Sequence, residues 1–211
     1  MPEEEPLFSR LDDVTIRIFE KAAVRKRFPK NTILFSKGDE SDSLYIVCSG
    51  KAHVIARDEQ GREIVLSVIG PGEYFGEMAA MDGAPRSATI VTKEPSEILI
   101  IHRDDFDRAL SSNTDMMLSL LKVFLERLRK ADEKIESLAF MNVCDRVASF
   151  LMQSADPQGG TWVVREALTH QEIADMVGSS RETVSRAIKE LLKAGYISIE
   201  RKRITIHKKL V

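Results

Sequence analysis

Gly76-Glu77-Met78-Ala79-Ala80-Met81-Asp82-Gly83-Ala84-Pro85-Arg86-Ser87-Ala88-Thr89 is the stretch on which the rest of the chain hangs. A glycine followed by a short helix-prone run, Glu77 to Met81, leaves backbone N–H groups unpaired at a helix start, where they attract anions. Arg86 and Ser87 then return to the same place. A guanidinium makes paired hydrogen bonds to phosphate oxygens, a serine hydroxyl adds a donor, and Glu77 accepts from a sugar hydroxyl. Together these groups suit a phosphate joined to a ribose. A Glu and an Arg this close are by themselves more often a surface ion pair, so the flanks matter. Pro71-Gly72-Glu73-Tyr74-Phe75 is a turn leading into the stretch, and Thr89-Ile90-Val91 resumes strand.

Working upstream, Leu11, Val14, Ile16, Ile18, Phe19 and Ala22 give a short, loosely amphipathic helix behind an acidic tip. β-prone runs follow at Thr32 to Phe35, Ser43 to Val47, Ala52 to Arg57, Ile64 to Val68, Ser87 to Val91 and Glu97 to Ile101. Turn signals separate them at Lys37-Gly38-Asp39, Ser49-Gly50, Asp58 to Gly61 and Gly70-Pro71-Gly72. That many short strands at regular spacing argue for a β-roll or barrel. Val54, Leu66 and Ile69 are candidates to line its interior.

Downstream the pattern turns helical. Asp104 to Leu110 make a short helix, and Thr114 opens a long one running to about Ala139. Along it Leu121, Leu125, Leu128, Asp132, Ile135 and Ala139 recur at alternating steps of four and three, the spacing of a coiled-coil seam. Leu118, Phe124 and Leu138 lie partly off this seam, so one face can pack inward and another against a second copy. Asp132 is the odd member: a carboxylate in an apolar seam is costly without a partner. It either rotates out to Arg129 or Lys130 or accepts hydrogen bonds from a purine bound under the helix.

After a hinge around residues 139–141, Asn142 to Met152 form a further helix, and Asp156-Pro157-Gln158-Gly159-Gly160 reads as a loop. Thr169-His170-Gln171-Glu172 fits a capping box. The helix it starts ends at Gly178, and Ser179-Ser180 caps the next, Arg181 to Ala194, with Val184, Ile188, Leu191 and Leu192 on one face. Two short helices across a Gly-containing turn are the helix-turn-helix pattern. Tyr196 to Ile199 and Ile204 to Ile206 then flank the basic tip Glu200-Arg201-Lys202-Arg203 as a wing. Arg181, Glu182 and Arg186 open the second helix, where Arg pairs with guanine and Glu accepts from cytosine. Thr169, Gln171, Ser180 and Thr183 are candidate phosphate contacts, and Lys202 in the wing joins the DNA-binding set.

Composition narrows the class. A 43% hydrophobic and 30% charged chain is ordinary for a globular protein, and no apolar run approaches about 18 residues. With Met1-Pro2-Glu3-Glu4-Glu5 acidic where a secretory signal is basic, the expectation is a cytoplasmic protein without a membrane partner. Cys48 and Cys144 are too few for a disulfide scaffold or a four-thiolate cluster. His53 and His102 lack metal-ligand spacing and no activated nucleophile is visible, so neither a metal site nor an enzyme is expected. From Asn142 onward 11 Lys and Arg face 8 Asp and Glu, a balance of +3 within a net charge of −2. An acidic front and a mildly basic rear suit a sensor joined to something that meets nucleic acid.

The cassette resembles the phosphate-binding cassette of cyclic-nucleotide-binding domains at Gly76, Glu77, Arg86, Ser87 and Ala88. Gln171-Glu172-Ile173-Ala174 followed by Gly178-Ser179-Ser180-Arg181-Glu182-Thr183-Val184-Ser185-Arg186 resembles the CRP/FNR family of bacterial regulators, across nearly the whole chain. The resemblance implies an α+β architecture: a β-roll sensor at 1–113, a dimerisation helix at 114–140 and a winged helix-turn-helix at 141–211. It implies a homodimer binding double-stranded DNA at a palindrome resembling TGTGA and TCACA, because the family's base-reading residues match Arg181, Glu182 and Arg186. It implies nucleotide contacts from the cassette, with Met78 and Leu66 counted in, and from Arg127, which keeps a basic position beside the phosphate. It also implies contact with RNA polymerase through residues 156–160. The effector is a cyclic nucleotide and no other cofactor is implied. Cyclic AMP is favoured; the alternatives are cyclic GMP, since Ala131-Asp132 stands where the family offers Thr-Ser to adenine and a carboxylate can accept both guanine donors, and the same fold gated by another ligand or by none.

Overall fold

The computed structural model describes residues 23–201 and 203–208. The expected helix at 11–22 and Lys202 lie outside them. Contacts divide the chain into two compact units, one of residues up to Ala56 together with Leu66–Lys130, the other of Arg57–Val65 together with Ala131–Val211.

Eight strands build two four-stranded antiparallel sheets: β1 (Val24–Phe28), β2 (Ile33–Phe35), β3 (Ser43–Ser49), β4 (Ala52–Arg57), β5 (Glu63–Ile69), β6 (Tyr74–Phe75), β7 (Thr89–Thr92) and β8 (Ser96–His102). Their orders are β1-β8-β3-β6 and β2-β7-β4-β5. Phe35, Val47, Ala52, Ile69, Phe75, Ile90 and Ile98 form one buried cluster. β7 shows why a four-residue strand suffices: all four of its residues are buried, and the Thr92 hydroxyl donates to the Pro29 carbonyl at 2.7 Å, so the buried polar atom is satisfied. Of the three lining candidates, Ile69 is in this core and Val54 packs against it, whereas Leu66 is half exposed.

Helix α1 (Glu77–Asp82) follows β6, and α2 (Arg103–Ser112) and the long α3 (Thr114–Phe140) follow β8. Leu44, Ile46, Tyr74, Ala80, Ile101, Phe106, Ala109, Met116 and Leu120 make a second cluster, where sheet and helices meet. Each such large side chain contributes about 1.5–3 kcal/mol by leaving water. Val123 and Phe124 pack inward on this cluster. The expected seam stays open: Leu121, Leu125, Leu128 and Ile135 are 46–63% exposed, and Leu118 joins them.

The remaining elements are α4 (Val143–Gln153), β9 (Ala155–Gln158), β10 (Thr161–Val164), α5 (His170–Val177), α6 (Arg181–Lys193), β11 (Ile197–Glu200) and β12 (Arg203–Ile206). The strands form one antiparallel sheet in the order β11-β12-β10-β9. Val147, Leu151, Ile173, Val177, Val184, Ile188, Leu191, Ile197, Ile204 and Ile206 are among the buried residues that hold helices to sheet. Two expectations are corrected here. The stretch expected as a loop at 156–160 is a strand as far as Gln158, paired with β10 as Pro157↔Trp162 and Asp156↔Val163; Pro157, which has no N–H, is tolerated because β9 is the edge strand. Leu192, expected on the buried face of α6, is exposed and Ala187 takes that place.

Candidate functional site

The cassette begins at a backbone constraint. Gly76 precedes α1 with φ 82°, and a Cβ there would stand 2.6 Å from Arg86 Nη1 and 3.0 Å from the Ser43 carbonyl oxygen. Only glycine meets both demands. Arg86 passes beneath it, 3% exposed. Its Nη1 donates to the Gly76 carbonyl at 2.7 Å, and its Nη2 donates to the Ser43 carbonyl at 2.7 Å and the Ser41 hydroxyl at 2.5 Å. The guanidinium carbon lies 4.2 Å from the centre of the Phe35 ring and 5.4 Å from that of Tyr45. Burial pulls its pKa below the ordinary arginine value, with Tyr45 and Glu77 acting the other way.

Glu77 is 4% exposed. Its Oε1 accepts from Arg127 Nη1 at 2.7 Å. Arg127 also donates to the Tyr74 carbonyl, and its guanidinium carbon is 4.7 Å from the Tyr74 ring centre. Burial raises the Tyr74 phenol well above its usual range. Two buried atoms in the cassette have no protein partner, Glu77 Oε2 and Arg86 Nε. One is an acceptor and the other a donor. Ala88 is buried beside Arg86, while exposed Ser87 donates to the sulfur of exposed Met78 at 3.7 Å.

The structure thus brings Gly76, Glu77, Met78, Arg86, Ser87, Ala88 and Arg127 together. Asp132 lies on another stripe of α3, five residues and about 140° round from Arg127, in line with exposed Leu128 and Ile135. Lys130, one of its expected partners, pairs with Glu126 at 3.0 Å. Ser41, Ser43, Phe35 and Tyr45 were not singled out by sequence. Ser43 and Tyr45 alternate along β3 and so share one face of that strand, but nothing local ties that face, or Ser41 before it and Phe35 on β2, to Arg86.

In the other unit, Thr169 caps α5 in a full capping box with Glu172, and Gly178 ends it at φ 64°. Ser180 caps α6, accepting from the Thr183 N–H at 3.2 Å. Arg181, Glu182, Arg186 and Lys189 stand exposed on α6 over a buried face of Val184, Ala187, Ile188 and Leu191. Of the candidate phosphate contacts, Thr169, Ser180 and Thr183 hold caps and Gln171 donates to Asp175 at 2.7 Å. Two cations that sequence reasoning missed secure the end of α5: Lys134 donates to the Met176 carbonyl, and Arg146 Nε donates to the Val177 carbonyl at 3.0 Å. Burial and the nearby Arg146 charge lower the Lys134 pKa. Among the described residues no group of His, Cys, Asp and Glu is placed to hold a metal ion, and no helix is long and apolar enough to cross a membrane.

A cyclic-nucleotide-type cassette and a winged helix-turn-helix in one chain define a ligand-sensing, DNA-binding regulator. Residues 25–113 match the cyclic nucleotide-binding domain and residues 145–209 the Crp-like helix-turn-helix domain. The chain is 32% identical over 204 residues, 95% of its own length and 91% of the other's, to the CRP-like cAMP-activated global transcriptional regulator of Mycobacterium tuberculosis strain H37Rv. It is 33% identical over 185 residues, 86% and 83% of the two lengths, to the cAMP-activated global transcriptional regulator CRP of Haemophilus influenzae. The c-di-GMP responsive global regulator CLP of Xanthomonas campestris has the same architecture, with a TM-score of 0.82 at 28% identity over 93% of this chain and 100% of that one. The chain belongs to the CRP/FNR family of transcription regulators, and the relatives are regulators rather than enzymes.

Proposed function

We propose that this chain works as a cytoplasmic homodimer, in which a cyclic nucleotide in the cassette sets how two winged domains meet a palindromic DNA site. Cyclic AMP is the first choice of effector, supported by relatives named as cAMP-activated at 32–33% identity. The observation that carries the ligand half is the pair of orphaned buried atoms, Glu77 Oε2 and Arg86 Nε. A buried polar atom without a partner costs about 1–3 kcal/mol, and a ribose hydroxyl on the first and a phosphate oxygen on the second recover that cost. In this reading Ser87 adds a hydroxyl to the phosphate, Gly76 and Ala88 let it approach, and Arg127 fixes Glu77. Leu66 and Met78, both exposed, cover the ligand. Asp132 accepts from the base, in its own subunit or across the dimer.

The reading half assigns 1–113, 114–140 and 141–211 to sensor, dimer helix and DNA reader. It gives Arg181, Glu182 and Arg186 the bases of a TGTGA-like half-site, with Thr169, Gln171, Ser180, Thr183 and Lys202 on the backbone. The β9–β10 hairpin is the segment offered to RNA polymerase. A second reading keeps the architecture and changes the ligand: guanine satisfies Asp132 with two donors, which favours cyclic GMP, and CLP is named as c-di-GMP responsive. Titration calorimetry with cyclic AMP, cyclic GMP and cyclic di-GMP on the wild type and on Glu77→Gln separates these. The tightest wild-type ligand is expected to lose at least about tenfold in Glu77→Gln, the loss of a hydrogen bond to a charged acceptor. Heat from none of the three would refute the ligand half.

A further inference from the structure

The helix-turn-helix contains a hydrogen-bond relay that fixes the tautomer of one histidine. Ser185 lies inside the charged sector of α6 that Arg181, Glu182, Arg186 and Lys189 define, and its hydroxyl donates to the Arg181 carbonyl at 2.8 Å. The same oxygen is 2.8 Å from His170 Nδ1. A serine hydroxyl has one proton. Because that proton is spent on Arg181, the second bond requires His170 Nδ1 to be the donor. The neutral ring therefore keeps its N–H at Nδ1 and carries a bare lone pair at Nε2.

His170 is the first residue of α5, half-buried between Thr169 and Gln171. The bond to Ser185 holds it at the border of the charged α6 face. A groove-reading helix is flanked by phosphates, and most protein–DNA hydrogen bonds go to phosphate and sugar. Toward a phosphate oxygen the neutral ring presents a lone pair and repels; the protonated ring presents an Nε2–H and a positive charge, and binds. The charged residues within a turn of Ser185 on α6 are Arg181, Glu182, Arg186 and Lys189, and those near His170 in the chain are Glu166 and Glu172. Glu172 is occupied with the Thr169 N–H at 2.7 Å and the Thr169 hydroxyl at 2.9 Å.

We infer that His170 is a DNA-phosphate contact that forms only when its imidazole is protonated, so that the winged domain takes up a proton as it binds DNA. This rests on the reading of that domain as the DNA reader. The linkage has one sign. The complex holds the proton more firmly than the free protein does, so affinity is higher with the ring protonated and falls as rising pH removes that proton.

The test uses the full chain with saturating cyclic AMP and two fluorescent duplexes, one carrying the TGTGA/TCACA palindrome and one of random sequence at low salt. Anisotropy titrations run from about pH 5.5 to about pH 8. Across that range the wild type is expected to lose about three- to tenfold more affinity than His170→Gln, while His170→Arg, charged throughout, keeps the acid-side affinity. The salt slope of the wild type steepens at low pH by about 0.9 for each subunit bound. Calorimetry in two buffers of unlike ionisation enthalpy reads the proton uptake of the wild type directly, without reliance on a variant. Identical pH profiles for wild type and His170→Gln, or equal proton uptake in both, overturn the inference. Failure of every variant to bind either duplex at any pH instead removes the DNA-reader reading, and the inference with it.

Discussion

Arg86 spends most of its donors on the protein itself. Two carbonyls, a hydroxyl and two aromatic rings hold it, and its Nε is buried without a protein partner. The cassette is thus preorganised: its cation is aimed before a ligand arrives, and binding need not order it. Gly76 is the hinge of that arrangement. Gly76→Ala places a methyl 2.6 Å from Arg86 Nη1 and forces a left-handed φ on an L-residue at a cost of about 1–2 kcal/mol. Such a change is expected to lower the midpoint of thermal unfolding by several degrees, since about 1 kcal/mol moves a domain of this size by roughly 4–8 °C. It is also expected to weaken nucleotide binding more than tenfold, the equivalent of about 1.4 kcal/mol, because the displaced guanidinium no longer aims Nε. A variant that melts early yet binds normally would show Gly76 to be structural only. Gly76, Glu77 and Arg86 were legible in sequence because turn chemistry and a charged side chain within ten residues announce them. Ser41 and Ser43 were not, because they reach Arg86 from more than 40 residues away along the chain, a distance only the sheet pairing closes.

At the scale of elements, caps were the most readable feature. Thr169 and Ser180 each accept the N–H three residues on, where sequence put them, because Ser and Thr offer an orphan helix N–H the oxygen it lacks. Strands with weak patterns were the least readable. β6 has two residues, β1 sets three consecutive cations between Val24 and Phe28 and so shows no alternation, and β9 contains a proline that argues against a strand unless the edge position is known. Ser180→Ala tests what the cap contributes. Loss of such a cap costs about 1 kcal/mol and frees the Thr183 hydroxyl, which also accepts from Arg186 Nη2 at 3.2 Å. Urea unfolding is expected to show a lower midpoint with an unchanged slope. On the proposed assignment of a base to Arg186, DNA binding should lose preference at that position, because the guanidinium then lacks its support. A lowered midpoint with unaltered base preference would confine Ser180 to stability.

For the whole molecule the decisive surface is the open stripe of α3. Leu118, Leu121, Leu125, Leu128 and Ile135 are 46–63% exposed, in a helix that buries Met116 and Leu120 fully and packs Val123 and Phe124 inward. A contiguous apolar stripe at alternating steps of four and three is what a second copy covers in a coiled-coil seam. Asp132 interrupts that stripe. In a two-fold pairing it meets its own copy, and two like charges in one seam oppose association. A polar residue at a seam position costs stability and fixes register, so Asp132 is expected to weaken the dimer while serving the ligand. Two variants separate these effects by sedimentation. Leu128→Glu adds a second carboxylate per chain and should yield monomer at concentrations where the wild type is dimeric. Asp132→Leu should tighten the dimer by about tenfold, equivalent to about 1.4 kcal/mol, and level any preference between cyclic AMP and cyclic GMP in calorimetry. If Asp132→Leu tightens the dimer and leaves the preference intact, the carboxylate sets register alone. If Leu128→Glu remains dimeric, the stripe is not the subunit interface, and ligand and DNA sites must be coupled within one chain.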